Sequence, residues 1–183
     1  MTDPGRSDDS RDKELIAEWK AGSQRAASEL VERHASALAR FGASCGARGD
    51  LDELVQDTFV RAFGSLDGFR GESSFRTWLF TIERRLLMDR RRAERRRPAG
   101  MDIGEGDAVT EFDALDHLVA DEAQARVRKA IEHLTPTQRE VFVLRVTEGL
   151  SYKEIASAVS TTEGAARVHY HNAMRAIKEF LDA

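Results

Sequence analysis

A single cysteine, Cys45, among 183 residues excludes an internal disulfide. No Cys or His cluster has the spacing of a zinc site, and no nucleophile–base pair, metal motif or phosphate-cradling loop can be picked out. No catalytic residues, metal or cofactor are therefore expected. A run of about 18 apolar residues is also missing, which argues against a membrane span or direct membrane insertion. The opening stretch, MTDPGRSDDSRDK, has no apolar core of the kind a signal peptide needs. A cytoplasmic protein is expected, with Cys45 as a small packing residue. Aromatics make up only 7% of the chain. Alternating runs of Val, Ile and Thr are absent, so few or no strands are expected.

What the chain does have is charge, unevenly placed. The formal net charge is −4 and charged residues make up 33% of the sequence. Between Arg70 and Arg97 stand ten arginines against Glu72, Glu83, Asp89 and Glu94. Between Met101 and Ala125 stand eight acids and no Lys or Arg. A modest net charge is compatible with nucleic-acid binding when the basic residues gather on one face. In FRGESSFRTWLFTIERRLLMDRRRAERRR, residues 69–97, Phe and Trp are interleaved with Arg. That combination suits a surface that stacks bases while it neutralises phosphates.

Apolar spacing divides the chain into helices. Residues 1–12 read as a disordered N-terminus. A short helix carries Leu15, Ile16 and Trp19. A second, capped by Ser23, carries Leu30, Val31, Leu38 and Phe41. A third starts at Asp50 or Asp52 and places Leu51, Leu54, Val55, Phe59 and Phe63 on one face. The fourth, capped by Ser73 or Ser74, repeats Phe75, Leu79, Ile82 and Leu86 at helical intervals. These four close one bundle over residues 13–97.

The stretch PAGMDIGEGDAVTE, residues 98–111, reads as an acidic flexible linker. Fully extended it spans roughly 50 Å. A second helical unit occupies residues 112–183. Thr135, Pro136 and Gln138 form one capping-box start signal, and Ser151 with Glu154 forms another. Thr162 caps a last helix, on which Ala166, Tyr170, Ala173, Ile177 and Leu181 share one side and Arg167, His171 and Arg175 another. Helix, short turn, helix, short turn, long helix is the helix-turn-helix pattern. The fold class is all-α, with two small helical domains.

Two segments in this order resemble the bacterial extracytoplasmic-function (ECF) sigma factors of RNA polymerase, in the sigma-70 family. DLDELVQDTFVRAFGSLDGFRGESSFRTWLFTIERRLLMDRRRAERRR is similar to region 2 of that family, and LTPTQREVFVLRVTEGLSYKEIASAVSTTEGAARVHYHNAMRAIKEFL to region 4. The resemblance implies a non-catalytic subunit that binds core RNA polymerase, directs it to promoters and promotes DNA opening. It also implies control by a separate anti-sigma factor. The implied polymerase-docking residues are Asp52, Glu53, Leu54, Gln56, Asp57 and Arg61. For the downstream (−10) element, read as single-stranded DNA, the loop DGFRGESSF contributes Phe69, Arg70, Ser73 and Ser74 around an extruded base. Trp78, Arg84, Arg85, Asp89 and Arg92 follow along the next helix. For the duplex upstream (−35) element the implied set is Thr162, Glu163, Ala165, Arg167, Val168, His171 and Arg175. Residues near the start of a recognition helix reach base edges.

Region 4 departs from the family's commoner pattern. Ser160 stands at the turn glycine, and His169 and Asn172 replace frequently basic positions. The residues taken by themselves leave two other classes open: an independent helix-turn-helix regulator that binds duplex DNA alone, and a helical interaction adaptor.

Overall fold

The computed structural model describes residues 4–47, 51–96 and 118–183, and these form eight α-helices, one short 3₁₀ turn and no strand. Four helices make the N-terminal half: α1 (Pro4–Lys20), α2 (Gln24–Ser44), α3 (Leu51–Gly64) and α4 (Phe75–Arg96). The C-terminal half comprises α5 (Leu118–Glu132), α6 (Pro136–Val146), α7 (Tyr152–Ala158) and α8 (Glu163–Asp182). The expected linker at 98–111 lies outside the described residues.

The helix starts are encoded by short polar side chains. Ser23 accepts from the Ala26 amide, Ser74 from Thr77 and Thr162 from Ala165. Thr135 with Gln138, and Ser151 with Glu154, form full capping boxes. Each such cap stabilises its helix by about 1 kcal/mol. One boundary differs from the sequence expectation, because α1 begins at Pro4 and not near Lys13. Ahead of Leu15 a buried acid ties the helix to α2. Asp12 is 2% exposed and meets His34 at 2.8 Å and Arg33 at 2.9 Å on α2. Burial alone would raise the Asp12 carboxyl. Hydrogen bonds and charge from His34 and Arg33 outweigh it, and the group is held below its ordinary range.

In the N-terminal half Leu15, Leu30, Leu38, Phe41, Leu54, Leu79 and Phe80 are buried together. Phe41 meets Phe80 edge-on at 5.3 Å. The helices approach closely at Gly42, where a β-carbon would lie 2.9 Å from Leu54 and 3.0 Å from Glu83. In the C-terminal half α5, α6 and α7 all pack on α8, burying Val141, Leu144, Ile155, Ala166, Ala173 and Ile177. The two halves also meet: α4 lies against α7, and α2 against α6. Each fully buried Leu or Phe in these cores contributes about 1.5–3 kcal/mol.

Candidate nucleic-acid interface

The loop before α4 is built around three rings. After α3 a 3₁₀ turn, Leu66–Gly68, buries Leu66 and sets down Phe69 half-buried. Phe69 packs on Trp78 at 4.9 Å and on Phe75 at 5.9 Å, while Phe75 itself is core. The chain then turns outward at Gly71, whose φ of 72° is easily adopted only by glycine. Arg70 and Glu72 are exposed. Ser73 donates to the Ser74 carbonyl at 3.3 Å, and the Ser74 hydroxyl caps α4. The structure thus joins Phe69 and Trp78, expected separately on loop and helix, into one partly exposed aromatic surface.

The arginines of α4 separate by face. Arg85, Arg92, Arg95 and Arg96 are exposed, and Arg92 lies 3.8 Å from Asp89. Arg84, Arg91 and Arg76 turn toward the C-terminal half. Arg84 donates to Glu140 at 2.7 Å and Arg91 to the same carboxylate at 3.3 Å. Arg76 meets the Glu148 carboxylate at 2.5 Å, and Arg40 of α2 reaches it at 3.1 Å. Arg91 also donates to the Cys45 carbonyl. The Glu140 and Glu148 side chains are 2% and 0% exposed, so each buried charge depends on its guanidinium pair. Arg84 is therefore held by Glu140 in this arrangement, where the sequence expectation has it following the DNA. Glu140 and Glu148 were missed by sequence reading. For Glu140 the available signal was an acid set directly before the apolar run VFVL.

On α3, Asp52, Glu53, Gln56 and Arg61 are exposed, and Asp57 is paired with Arg90 of α4 at 3.0 Å. Leu54 is fully buried against Gly42. It belongs to the core and cannot lie on a docking face, because its side of the helix is the one that packs. Beside the polar residues runs an apolar groove lined by Val31, Val55, Phe59, Val60 and Phe63.

Cys45 is buried, and burial pushes its thiol well above the ordinary range, as fits a packing role. Glu83 is fully buried with no hydrogen-bond partner for either carboxylate oxygen. Burial, with a smaller contribution from Glu148, pushes it up to about 9. It is neutral at physiological pH.

The turn into α8 puts Ser160 at φ 55°, in the left-handed region that a glycine would occupy without strain. On α8, Ala166, Ala173 and Ile177 face the core. Glu163, Arg167, Val168, His171 and Arg175 are exposed and Ala165 is half-buried. Thr162 is committed to its cap. Arg167 donates to Glu163 at 2.6 Å and sits 4.7 Å over the Tyr152 ring. Among the described residues no group of three or more His, Cys, Asp or Glu is placed to hold a metal ion.

This geometry places an aromatic loop and an exposed arginine face in one half, and a capped helix-turn-helix in the other. A sigma-70 region 2 family model matches residues 30–97, and a sigma-70 region 4 model matches residues 124–177. The chain is 31% identical over 175 residues to the ECF RNA polymerase sigma-E factor of Escherichia coli strain K12, covering 91% of this chain and 92% of that one. It is 32% identical over 170 residues to the RNA polymerase sigma factor NccH of Alcaligenes xylosoxydans xylosoxydans, covering 90% and 89%. Among solved structures it is similar to CnrH in complex with the cytosolic domain of CnrY, with a TM-score of 0.70, 32% identity, and 94% and 97% of the two chains covered. The fold also matches the sigma factor RpoE bound to the anti-sigma factor NepR from Bartonella quintana. There the TM-score is 0.66 at 24% identity, with 85% and 96% covered.

Proposed function

The chain belongs to the ECF sigma factors of the sigma-70 family, and on that premise we propose how its surfaces divide the work of initiation. As a sigma factor it binds core RNA polymerase and promoter DNA and directs where transcription starts. Residues 13–97 dock on the polymerase and hold the opened downstream element, and residues 112–183 read the upstream element as duplex. The exposed face of α3, with Asp52, Glu53 and Gln56, is the docking surface. No chemistry of its own is assigned to the chain, and it acts in the cytoplasm, where polymerase and promoter are. No helix among the described residues is long and apolar enough to cross a membrane. An anti-sigma factor controls it, as one binds the RpoE to which its fold is similar.

The observation that carries the downstream role is the contact of Phe69 with Trp78 at the head of an arginine-bearing helix. Unstacking a base costs a few kcal/mol. Base–aromatic stacking contributes about 1–3 kcal/mol per base, and the exposed arginines neutralise the backbone. Binding both elements at once, two DNA turns or about 70 Å apart, requires α4 to part from α6 and α7. That parting frees Arg84, Arg91 and Arg76 from Glu140 and Glu148.

The test is transcription reconstituted from core polymerase and this chain on genomic DNA, with start sites mapped. A shared pair of elements upstream of the new starts is expected. Binding to duplex DNA without any effect on polymerase would instead mark an independent regulator.

A further inference from the structure

One ring in the C-terminal half gathers two cations. Tyr152, the first residue of α7, is half-buried, with Arg145 from the last turn of α6 at 4.9 Å and Arg167 of α8 at 4.7 Å from its ring centroid. Both guanidiniums are further held: Arg145 donates to the Leu150 carbonyl at 2.8 Å and Arg167 to Glu163 at 2.6 Å. The ring is itself braced. Tyr170 meets its edge at 6.0 Å and stacks at 6.5 Å on Phe142, which is 9% exposed. A continuous aromatic path therefore runs from the core to the two arginines.

Two like charges beside one ring repel each other, so the arrangement stands only because other groups offset the repulsion. The negative face of the tyrosine does so for both, and the Glu163 carboxylate and Leu150 carbonyl each do so for one. A guanidinium held over a ring directs its remaining N–H donors outward in its own plane, and Arg167 meets a bidentate acceptor once Glu163 yields its place. Arg167 lies in the second turn of α8, where recognition-helix residues reach base edges. Arg145 lies beside it on a different helix, suited to the neighbouring backbone.

Resting on the reading of α8 as the upstream-element helix, we propose that Tyr152 is a positioning residue that presents Arg167 to a base edge and Arg145 to an adjacent phosphate. Sequence spacing gave neither Tyr152 nor Arg145 this role. The ring fixes where the Arg167 fork points, and the phosphate contact of Arg145 fixes the register of the duplex against it. In this division Arg167 carries sequence information and Arg145 carries none.

The experiment uses the full chain with core polymerase on duplex probes varied one base pair at a time across the upstream element. Tyr152→Phe keeps the ring face and retains wild-type affinity and base preference. Tyr152→Leu and Tyr152→Met keep apolar bulk without the face. They lose roughly tenfold in discrimination at the position read by Arg167, with unchanged helicity and melting. Arg145→Gln weakens binding alike on all probes and lowers the slope of log affinity against log salt by about 0.9. The proposal is overturned if Tyr152→Leu and Tyr152→Met discriminate as wild type does, or if Tyr152→Phe is as damaging as they are. It is overturned equally if Arg145→Gln changes base preference or leaves the salt slope untouched. Should Arg167→Ala leave upstream discrimination unaltered, the reading of α8 itself fails. Should Arg167→Ala remove it while the tyrosine variants do not, only the positioning role fails.

Discussion

Arg84 of α4 and Glu140 of α6 meet at 2.7 Å across the seam between the two halves, with the Glu140 side chain only 2% exposed. The same seam holds Arg76 and Arg40 on Glu148. A carboxylate accepts from an arginine fork much as a phosphate does, so on the proposed reading Glu140 competes with opened DNA for Arg84. Glu140→Gln with Glu148→Gln removes both charges while keeping side-chain size. Dyes on α1 and α8 should then report a wider mean separation in the free chain. Affinity for a single-stranded downstream-element oligonucleotide should rise by about tenfold or more, since breaking such a pair shifts the balance by a few kcal/mol. An unchanged separation and affinity would mean that apolar contacts alone hold the seam.

Ser160, at φ 55°, supplies a second expectation. A residue with a β-carbon in the left-handed region costs about 1–2 kcal/mol, and glycine avoids most of that while losing some unfolded-state entropy. Ser160→Gly should stabilise the C-terminal half by about 0.5–1 kcal/mol, seen as a higher melting temperature. A lower one would show that the serine makes a stabilising contact that offsets its backbone strain.

Glu83 predicts a pH dependence. Its folded-state value is pushed up to about 9 by burial first and by Glu148 second. The proton is thus held more tightly in the folded chain than in the unfolded one. Stability from this group is complete below its ordinary value near 4.5 and is lost as pH rises toward 9, by up to about 1.4 kcal/mol per pH unit. Urea midpoints taken between pH 5.5 and 8.5 should fall for the wild type. Glu83→Met should flatten that slope and be the more stable protein at pH 8.5. Equal slopes in the two proteins would place an unrecognised partner on Glu83.

The helix starts were legible because capping is local: Ser23, Thr135, Ser151 and Thr162 each act within three residues of themselves. The aromatic and arginine residues of the downstream site were legible as composition, but their grouping was not. Phe69 and Trp78 meet because Leu66 is drawn into the core, a tertiary effect. Arg84 and Arg85 are identical in the sequence pattern and opposite in fate, since one turns to Glu140 and the other to solvent. Glu140 and Glu148 take their meaning from arginines 49 to 108 residues away in the chain, which no periodicity encodes. Leu54 was misassigned for a related reason. It lies amid exposed acids in sequence but on the opposite face of α3.

In the proposed division of labour the Phe69 loop reads base identity in the opened downstream element, while the exposed arginines of α4 only hold the strand. Permanganate reactivity of promoter thymines, measured with polymerase on templates varied at each downstream position, tests it most directly. Phe69→Ala with Ser73→Ala and Ser74→Ala should change which base is preferred. Arg85→Gln with Arg92→Gln should reduce opening on every template alike and lower its salt sensitivity, because phosphate contacts carry no base information. A loop variant that loses opening uniformly, beside an arginine variant that alters base preference, would contradict the account.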